Sequence, residues 1–537
     1  MKTLYNKLLI GLVALCGATM VSCTKGFEEL NKPYKDADVT TLNIPGLFNR
    51  LAETATDEDN SLYVSLFYHI TNQQGVQNTT APYLNYSSSL WDNYYPFLIA
   101  YKSLIKKIDE DPLKETFNNV RYMAMILLAS RTLHMLDYYG DFPYSDAANA
   151  ELGIAHYRPK YDKEADIYKA VLADLETAVN GIKTGDPTQI SIGKSESFLD
   201  HDFAAWIRFA NALRLRYAVR LYDKEQAFSS KIIADIIGGN KPLPANQQPG
   251  DMQKNNFGYW PGKVNPPIKT DRLWYTFREK SISNMRMSSN VWNQMSSNMD
   301  LDGSGIFDPR CKIYFQPNNA GQWSPQAQAG GEQDGGDPYA GDGIEKPKGT
   351  DPQNRKSAFN LMLVRDQNDF PYLILTEADV YFLKAEIYQR GMGVAKDIGA
   401  AKNAYEAGIK SSVDFWDDYA KRSFSWTAKP AVTTTAQMDA FLNNPKVAYN
   451  GANDMDALTK IATQAWLATL FEPAEAWAIV RRTGLTPKDP AYTPPVINRL
   501  PYPNEEKVQN FDNWKAALDG AILDPMEQVG RKLYWMR

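Results

Sequence analysis

Stripes of apolar residues at helical spacing, in two blocks separated by a long stretch that lacks them, restrict this chain more than any other feature. Leu90 to Ile108 carries Trp91, Tyr94, Tyr95, Leu98, Tyr101, Leu104, Ile105 and Ile108, spaced three and four residues apart as on one face of an α-helix. Asn119 to Tyr139 is apolar nearly all round, which predicts a helix packed on several sides. Gly140 is placed to stop it in a left-handed C-cap. Ile167, Val171, Leu175, Val179 and Ile182 form a third stripe. Phe203, Trp206, Ile207, Ala210, Leu213, Tyr217 and Leu221 form a fourth. Amphipathic helices joined by short breaks predict hairpins stacked side by side, as in solenoid repeats, although no clean fixed-period repeat is visible.

The helical scaffold is therefore expected over 42–239 and again over 371–537. In the second block order returns at Tyr372, with Ile374, Ala378, Tyr381, Ala385 and Tyr388 in steps of four and three. Ala400, Ala404 and Gly408 make a small-residue edge that lets a neighbouring helix approach closely. A further helix from about Met455 to Phe471 follows Asn453-Asp454, either of which can serve as N-cap, and Ala474 to Arg482 follows a break at Pro473. Pro490 to Asn513 is punctuated by proline and is expected to wrap over the helices. Between the blocks, 240–370 is rich in Gly, Pro, Asn and Gln, and a connection this long is either functional or disordered. Phe257, Tyr259, Trp260, Trp274, Tyr275, Trp292, Trp323 and Tyr339 are spread through it.

The first residues address the compartment. Lys2 and Lys7 precede an apolar run from Leu8 to Ala18, long enough for a secretory segment and too short to span a bilayer. It leads to Met20-Val21-Ser22-Cys23, a small residue directly before a cysteine, which resembles a bacterial lipobox. On that reading 1–22 is a lipoprotein signal peptide, Cys23 is acylated, and 23–41, charged and poor in apolar residues, is a tether. Ordinary secretion with a cut near Ala18 is the alternative. No later segment reaches about 18 uninterrupted apolar residues; Tyr122 to Tyr139 comes nearest and is broken by Arg131, His134 and Asp137. The expected membrane attachment is thus the lipid alone.

The net charge of −5 becomes −7 once Lys2 and Lys7 are removed (−5 − 2), which argues against a nucleic-acid binder. The cysteines are Cys16, Cys23 and Cys311, so the mature chain has one thiol left and no internal disulfide to form. Catalytic signals are weak. The histidines His69, His134, His156 and His201 include no His-x-x-x-His pair. Gly193-Lys194-Ser195 has the end of a phosphate loop, but Thr188 stands where its first glycine belongs, and no Gly-x-Ser-x-Gly elbow is present. The expectation is a non-enzymatic protein.

Two ligand possibilities remain. Asp300, Asp302, Ser304 and Asp308, with Gly305 at the sixth position, match part of a calcium loop, but Cys311 replaces the bidentate glutamate at position 12. A polar turn is the preferred reading, and no cofactor is expected. Sugars lay their C–H faces on aromatic rings while amides and charged groups meet their hydroxyls. Loop aromatics flanked by such groups fit that pattern: Tyr83 and Tyr86 near Gln77 and Asn85, Tyr259 and Trp260 near Asn255 and Asn256, Trp323 near Asn318, Asn319 and Gln322, with Trp274 in the same stretch. Core packing is the competing reading for each ring. Arg208, Arg214, Arg216 and Arg220 are read as forming interhelical ion pairs rather than an anion site.

Several blocks occur in a characteristic order: Tyr139-Gly-Asp-Phe-Pro-Tyr144, Trp206-Ile-Arg-Phe-Ala-Asn-Ala-Leu-Arg-Leu-Arg216, Asp308-Pro-Arg310, Leu375-Thr-Glu-Ala-Asp-Val-Tyr-Phe-Leu-Lys-Ala-Glu386 with Arg390-Gly391, Ile461-Ala-Thr-Gln-Ala-Trp466, Glu475-Ala-Trp-Ala-Ile-Val-Arg-Arg-Thr-Gly484 and Arg499-Leu-Pro-Tyr-Pro-Asn-Glu-Glu506. Together with the lipobox they resemble the SusD/RagB family of outer-membrane lipoproteins, in the branch with the Gln-Ala-Trp and Arg-Arg-Thr-Gly blocks. The resemblance implies a mostly α fold, with tetratricopeptide-like hairpins as scaffold and a large irregular region bearing the ligand face. It implies a surface-exposed lipoprotein that captures oligosaccharides and delivers them to a SusC-like TonB-dependent transporter. Peptide cargo, or a structural lid with little ligand affinity of its own, are the alternatives. The blocks themselves read as scaffold, and the family's ligand residues do not transfer to positions here.

Overall fold

The structure, a computed structural model, describes residues 43–56, 62, 66–75, 84, 87–192, 196, 198–199, 202–260, 286–327, 355–360, 362–363, 370–423, 426, 429–490, 492 and 496–537. The first block folds as helices α1 (Ile44–Thr54), α2 (Ser89–Glu110), α3 (Asn118–Tyr139), α4 (Glu164–Gly181), α5 (Phe203–Leu221) and α6 (Gln226–Ile233). Asn43 caps α1 by accepting from the Gly46 N–H at 2.8 Å, and Asp202 caps α5 through the Ala205 N–H. The α3 helix is buried on nearly every side, as its composition predicts, and packs on α2 and α4. It stops at Tyr139, but Gly140 has φ 71° and ψ −123°. That conformation lies outside the left-handed helical region expected of the cap, although its positive φ still favours glycine.

The middle of the chain carries more order than its composition suggests. Short strands β1 (Gln74–Gly75), β2 (Phe257–Tyr259), β3 (Arg286–Met287), β4 (Phe315–Gln316), β5 (Ala358–Phe359) and β6 (Tyr372–Leu375) make two antiparallel sheets, ordered β1-β3-β5-β4 and β2-β6. Tyr372 to Leu375 is therefore a strand rather than the start of a helix, with Leu375 opposite Phe257 and Tyr372 opposite Tyr259. One short helix, α7 (Ser289–Met295), follows β3.

The second block continues with α8 (Glu377–Arg390), α9 (Ile398–Arg422), α10 (Thr435–Leu442), α11 (Asp454–Ala468) and α12 (Pro473–Thr483). Thr376 and Asp379 form a reciprocal capping box at the start of α8, and Gly391 ends it in the left-handed region. Asn453 is the N-cap of α11. The small-residue edge of α9 meets the preceding helix: a Cβ on Gly408 would come within 2.9 Å of the Phe382 ring. Helices α13 (Asn504–Gln509), α14 (Phe511–Ala517) and α15 (Pro525–Val529) belong to the tail. The tail returns to the first block, where the Leu500 N–H donates to the Tyr138 carbonyl and Trp535 is buried.

Three apolar clusters hold these layers. The first joins α1–α6 to the tail. The second places Trp260, Trp292, Trp323, Tyr314 and Phe359 of the middle stretch against Phe415, Trp416 and Trp466 of α9 and α11. The third fills the space among α8, α9, α10 and α11. Among the described residues no helix is long and apolar enough to cross a membrane.

Candidate functional site

The quoted sequence blocks converge on buried charge. Arg216 of α5 donates to Asp379 of α8 at 2.7 Å and to the Ile374 carbonyl at 2.7 Å. Arg220 bonds Asp137 of α3 and both carboxylate oxygens of Glu475 on α12, the latter at 2.5 and 2.6 Å. Arg482 grips Glu386 through two bonds of 2.7 Å, and Arg390 adds a third. Burial alone would raise the Glu386 carboxyl, yet the Arg482 and Arg390 guanidiniums hold it down at about 2. Glu475 is likewise held at about 2 by Arg216 and Arg220 against the effect of burial. A cavity of about 150 Å³ opens beside this network, floored by Phe382, Ile461 and Ile479. Its arginines already face carboxylates, so the network ties four helices together and offers no free anion site.

The ring residues nominated from sequence divide into two groups. Cys23, Tyr83, Tyr86 and Trp274 lie outside the described residues. Tyr259, Trp260 and Trp323 are core residues, with 3%, 4% and 9% of their surface exposed. Trp260 donates its indole N–H to the Asn256 carbonyl at 3.2 Å and sets its edge on Phe415. Trp323 stacks on Trp292 at 6.3 Å between ring centroids. The flanking amides hold backbone instead of facing solvent. Asn255 donates to the Ala245 carbonyl, Asn256 to the Met252 carbonyl, and Asn318 accepts the N–H groups of Ala320 and Gln322. These three rings are enclosed because burying a large aromatic against other rings outweighs leaving it on a loop. For these three the competing reading, core packing, holds, and none is exposed as a sugar platform.

The calcium-like loop is closed in a similar way. Asp302 accepts the Ser304 N–H at 2.8 Å, while Asp308 is fully buried and binds the Arg310 backbone N–H, Nε and Nη2 at 3.0, 3.0 and 2.7 Å. With Asp308 engaged, Asp300, Asp302 and Ser304 fall short of the six or more oxygens calcium takes. Among the described residues no group of three or more His, Cys, Asp or Glu side chains is placed to hold a metal.

A second cleft, about 270 Å³, lies between α7 and α11. Asn290, Asn293 and Gln294 stand on one face of α7 at i, i+3 and i+4, and Thr459 and Thr463 face them from α11 at i and i+4. The segment after α12 closes the floor with Leu485 and Pro487, and Lys488 stands at the rim. The walls are fixed from behind. The Ser288 side chain caps α7 by accepting the Val291 N–H at 3.0 Å, and its hydroxyl donates to the Asn72 carbonyl at 2.8 Å. Lys446 reaches the Asn293 and Ser296 carbonyls at the far end of α7, at 2.6 and 2.9 Å. On α11, the Trp466 indole N–H donates to the Thr71 carbonyl and the Gln73 amide to the Trp466 carbonyl. Asn290 donates to the Pro487 carbonyl at 2.9 Å, which joins wall to floor. Sequence reasoning nominated none of these residues as a ligand contact; Thr463 and Trp466 entered only as part of the Ile461–Trp466 scaffold block. The only signal was a polar i, i+3, i+4 face on a short helix, which looks like any solvated face.

Comparison with known proteins bears on this scaffold. A family model described as "Starch-binding associating with outer membrane", of the SusD-like group, matches residues 32–503. A search of curated proteins finds no match. Among solved structures, one described as a Bacteroidetes SusD-like protein superposes with a TM-score of 0.70 at 21% identity, covering 92% of this chain and 100% of its own. A SusD homologue from Parabacteroides distasonis gives 0.67 at 20% identity, covering 92% and 98%. A chitin-binding SusD homologue from Flavobacterium johnsoniae gives 0.64 at 21%, also covering 92% and 98%. Likeness at these identities establishes the fold.

Proposed function

Since the chain belongs to the SusD-like family of outer-membrane-associated proteins, we propose that it is a non-enzymatic binding protein that captures oligosaccharides at the outer membrane and hands them to a partner TonB-dependent transporter. The family match along 32–503, under a description that names starch binding, carries this reading. A similar solved structure described as chitin-binding supports the same ligand class. Anchoring through a lipid on Cys23 and exposure at the cell surface belong to the proposal and rest on the lipobox-like Met20-Val21-Ser22-Cys23.

The test is titration of the full-length, detergent-solubilised protein with maltooligosaccharides, chitooligosaccharides and a peptide library, while product release from labelled glycan is followed. Saturable binding of an oligosaccharide without product release is the expected result. Saturable peptide binding with no response to any glycan overturns the ligand class, and glycan cleavage overturns the non-enzymatic reading. Radiolabelled palmitate incorporated into the wild type and absent from Cys23→Ser tests the anchor. Co-purification of a transporter with the tagged chain from native membranes tests the partner.

A further inference from the structure

The cleft between α7 and α11 is lined by amides and hydroxyls that the fold leaves unused. Thr463 is 7% exposed, yet its hydroxyl makes no hydrogen bond to another described residue. The side chains of Asn293, Gln294 and Thr459 are likewise without a hydrogen-bond partner among the described residues. Asn290 donates its amide nitrogen to Pro487 and leaves only its oxygen for anything in the cleft. The Thr463 side chain is nearly buried while its hydroxyl reaches the cleft, so that hydroxyl is left for a ligand or for water.

The donor set selects the ligand. Amides both donate and accept, as do threonine hydroxyls, so this lining matches alternating hydroxyls that also do both. Among the described residues no carboxylate lines the cleft, and the one charged residue there, Lys488, stands exposed at the rim, so the described interior is matched to a neutral group rather than an ion. The floor of Leu485 and Pro487 supplies an apolar patch for a ring's C–H face. We infer that this cleft is a subsite for an uncharged pyranose portion of a bound oligosaccharide. Thr463 and Asn290 are its inner contacts, and Thr459, Asn293 and Gln294 its outer ones. The inference rests on the glycan-binding reading above and adds the place and the charge class to it.

The experiment is calorimetric titration of the full-length protein in detergent with maltoheptaose, chitohexaose and an oligogalacturonate of similar length. It compares wild type with Thr463→Val, which keeps the side chain's shape, and with the double variant Asn293→Ala/Gln294→Ala, whose positions tolerate truncation because they are not core. Circular dichroism and the thermal midpoint check that each variant is folded. Each lost hydrogen bond is expected to weaken binding about 3- to 10-fold, so Thr463→Val falls by that factor and the double variant by roughly 10- to 100-fold. Wild-type binding of a neutral glycan with both variants unchanged overturns the cleft and leaves the family reading standing. Preference for the galacturonate, lost in the same variants, keeps the place and overturns the neutral class. If the wild type binds no glycan, both fall together.

Discussion

Replacing Asp308 by Asn tests whether the buried Asp308–Arg310 pair holds the middle stretch to the helical scaffold. Both residues are fully buried. Arg310 also donates to Gln464 of α11 at 2.6 Å and to Ser412 of α9 at 3.2 Å, so one guanidinium joins three segments. Burial alone would lower the pKa of Arg310, and the Asp308 carboxylate reverses that. Asparagine keeps one acceptor oxygen but turns the other into an NH₂ group facing Nη2, and it removes the compensating charge. Leaving a buried charge without its partner costs about 3–5 kcal/mol. With an unfolding entropy of about 2.1 cal/mol/K per residue, a chain of 537 residues that unfolds as one unit loses about 3–4 °C in Tm. If the apolar clusters unfold separately, the shift is larger and confined to the transition that carries α9 and α11. Calorimetry and urea unfolding read both cases. Asp308→Asn combined with Arg310→Met removes the orphaned charge and should recover about 2 kcal/mol relative to the single change. A single variant within about 1 kcal/mol of wild type, or a double variant no better than the single, refutes the reasoning.

Three further outcomes follow from the same structure. Burial raises Glu164 to about 8, only partly offset by the Tyr534 N–H. The native state thus keeps a proton that the unfolded chain releases from its ordinary value of 4.5 upward, and stability falls as pH rises from about 4.5 to 8. Glu164→Gln should flatten the thermal midpoint over that window, by on the order of 2 kcal/mol after solvent screening; an unchanged slope contradicts the assignment. Trp260→Ala and Trp323→Ala should each lower stability by about 3–5 kcal/mol in urea, while the folded fraction keeps its glycan affinity, because these rings pack inside. Lys446→Met frees two carbonyls at the end of α7 and should weaken glycan binding about 3- to 5-fold with little change in Tm, since a single charge-assisted contact near the surface positions that helix; affinity equal to wild type counts against the cleft walls being set this way.

The helical scaffold was legible because its information is local. The stripe Ile167, Val171, Leu175 needs only a period of 3.6 to be recognised, and Asn453 before α11 announces a helix start by short-range chemistry. Strand β6 was not legible for the complementary reason. Tyr372 to Leu375 runs in phase with the helix that follows, and only its far-upstream partner Phe257–Tyr259 shows it to be a strand. The site was harder still. Asn255, Asn256 and Asn318 beside aromatic rings look alike whether the amides meet a sugar or their own backbone, and the structure decides for the backbone. The cleft walls come from two helices far apart in sequence, each with polar residues that read singly as a solvated surface.

The buried charges and the cleft are parts of one arrangement. Gln464, which accepts from Arg310, directly precedes Ala465 and Trp466 and follows Thr463 on α11. Successive residues of that helix, about 100° apart around its axis, thus serve different surroundings, Gln464 the ion-paired interior and Thr463 the open cleft. The indole of Trp466, bonded to the Thr71 carbonyl, stops α11 from rotating about its axis. A turn of that axis large enough to aim Thr463 elsewhere would break both bonds and expose Arg310. A binding wall on a helix held in this way can keep its hydroxyls in place before a ligand arrives, which lowers the entropy lost on binding. On this view the scaffold blocks, one of which also supplies Thr463 to the cleft, determine how well a sugar is held.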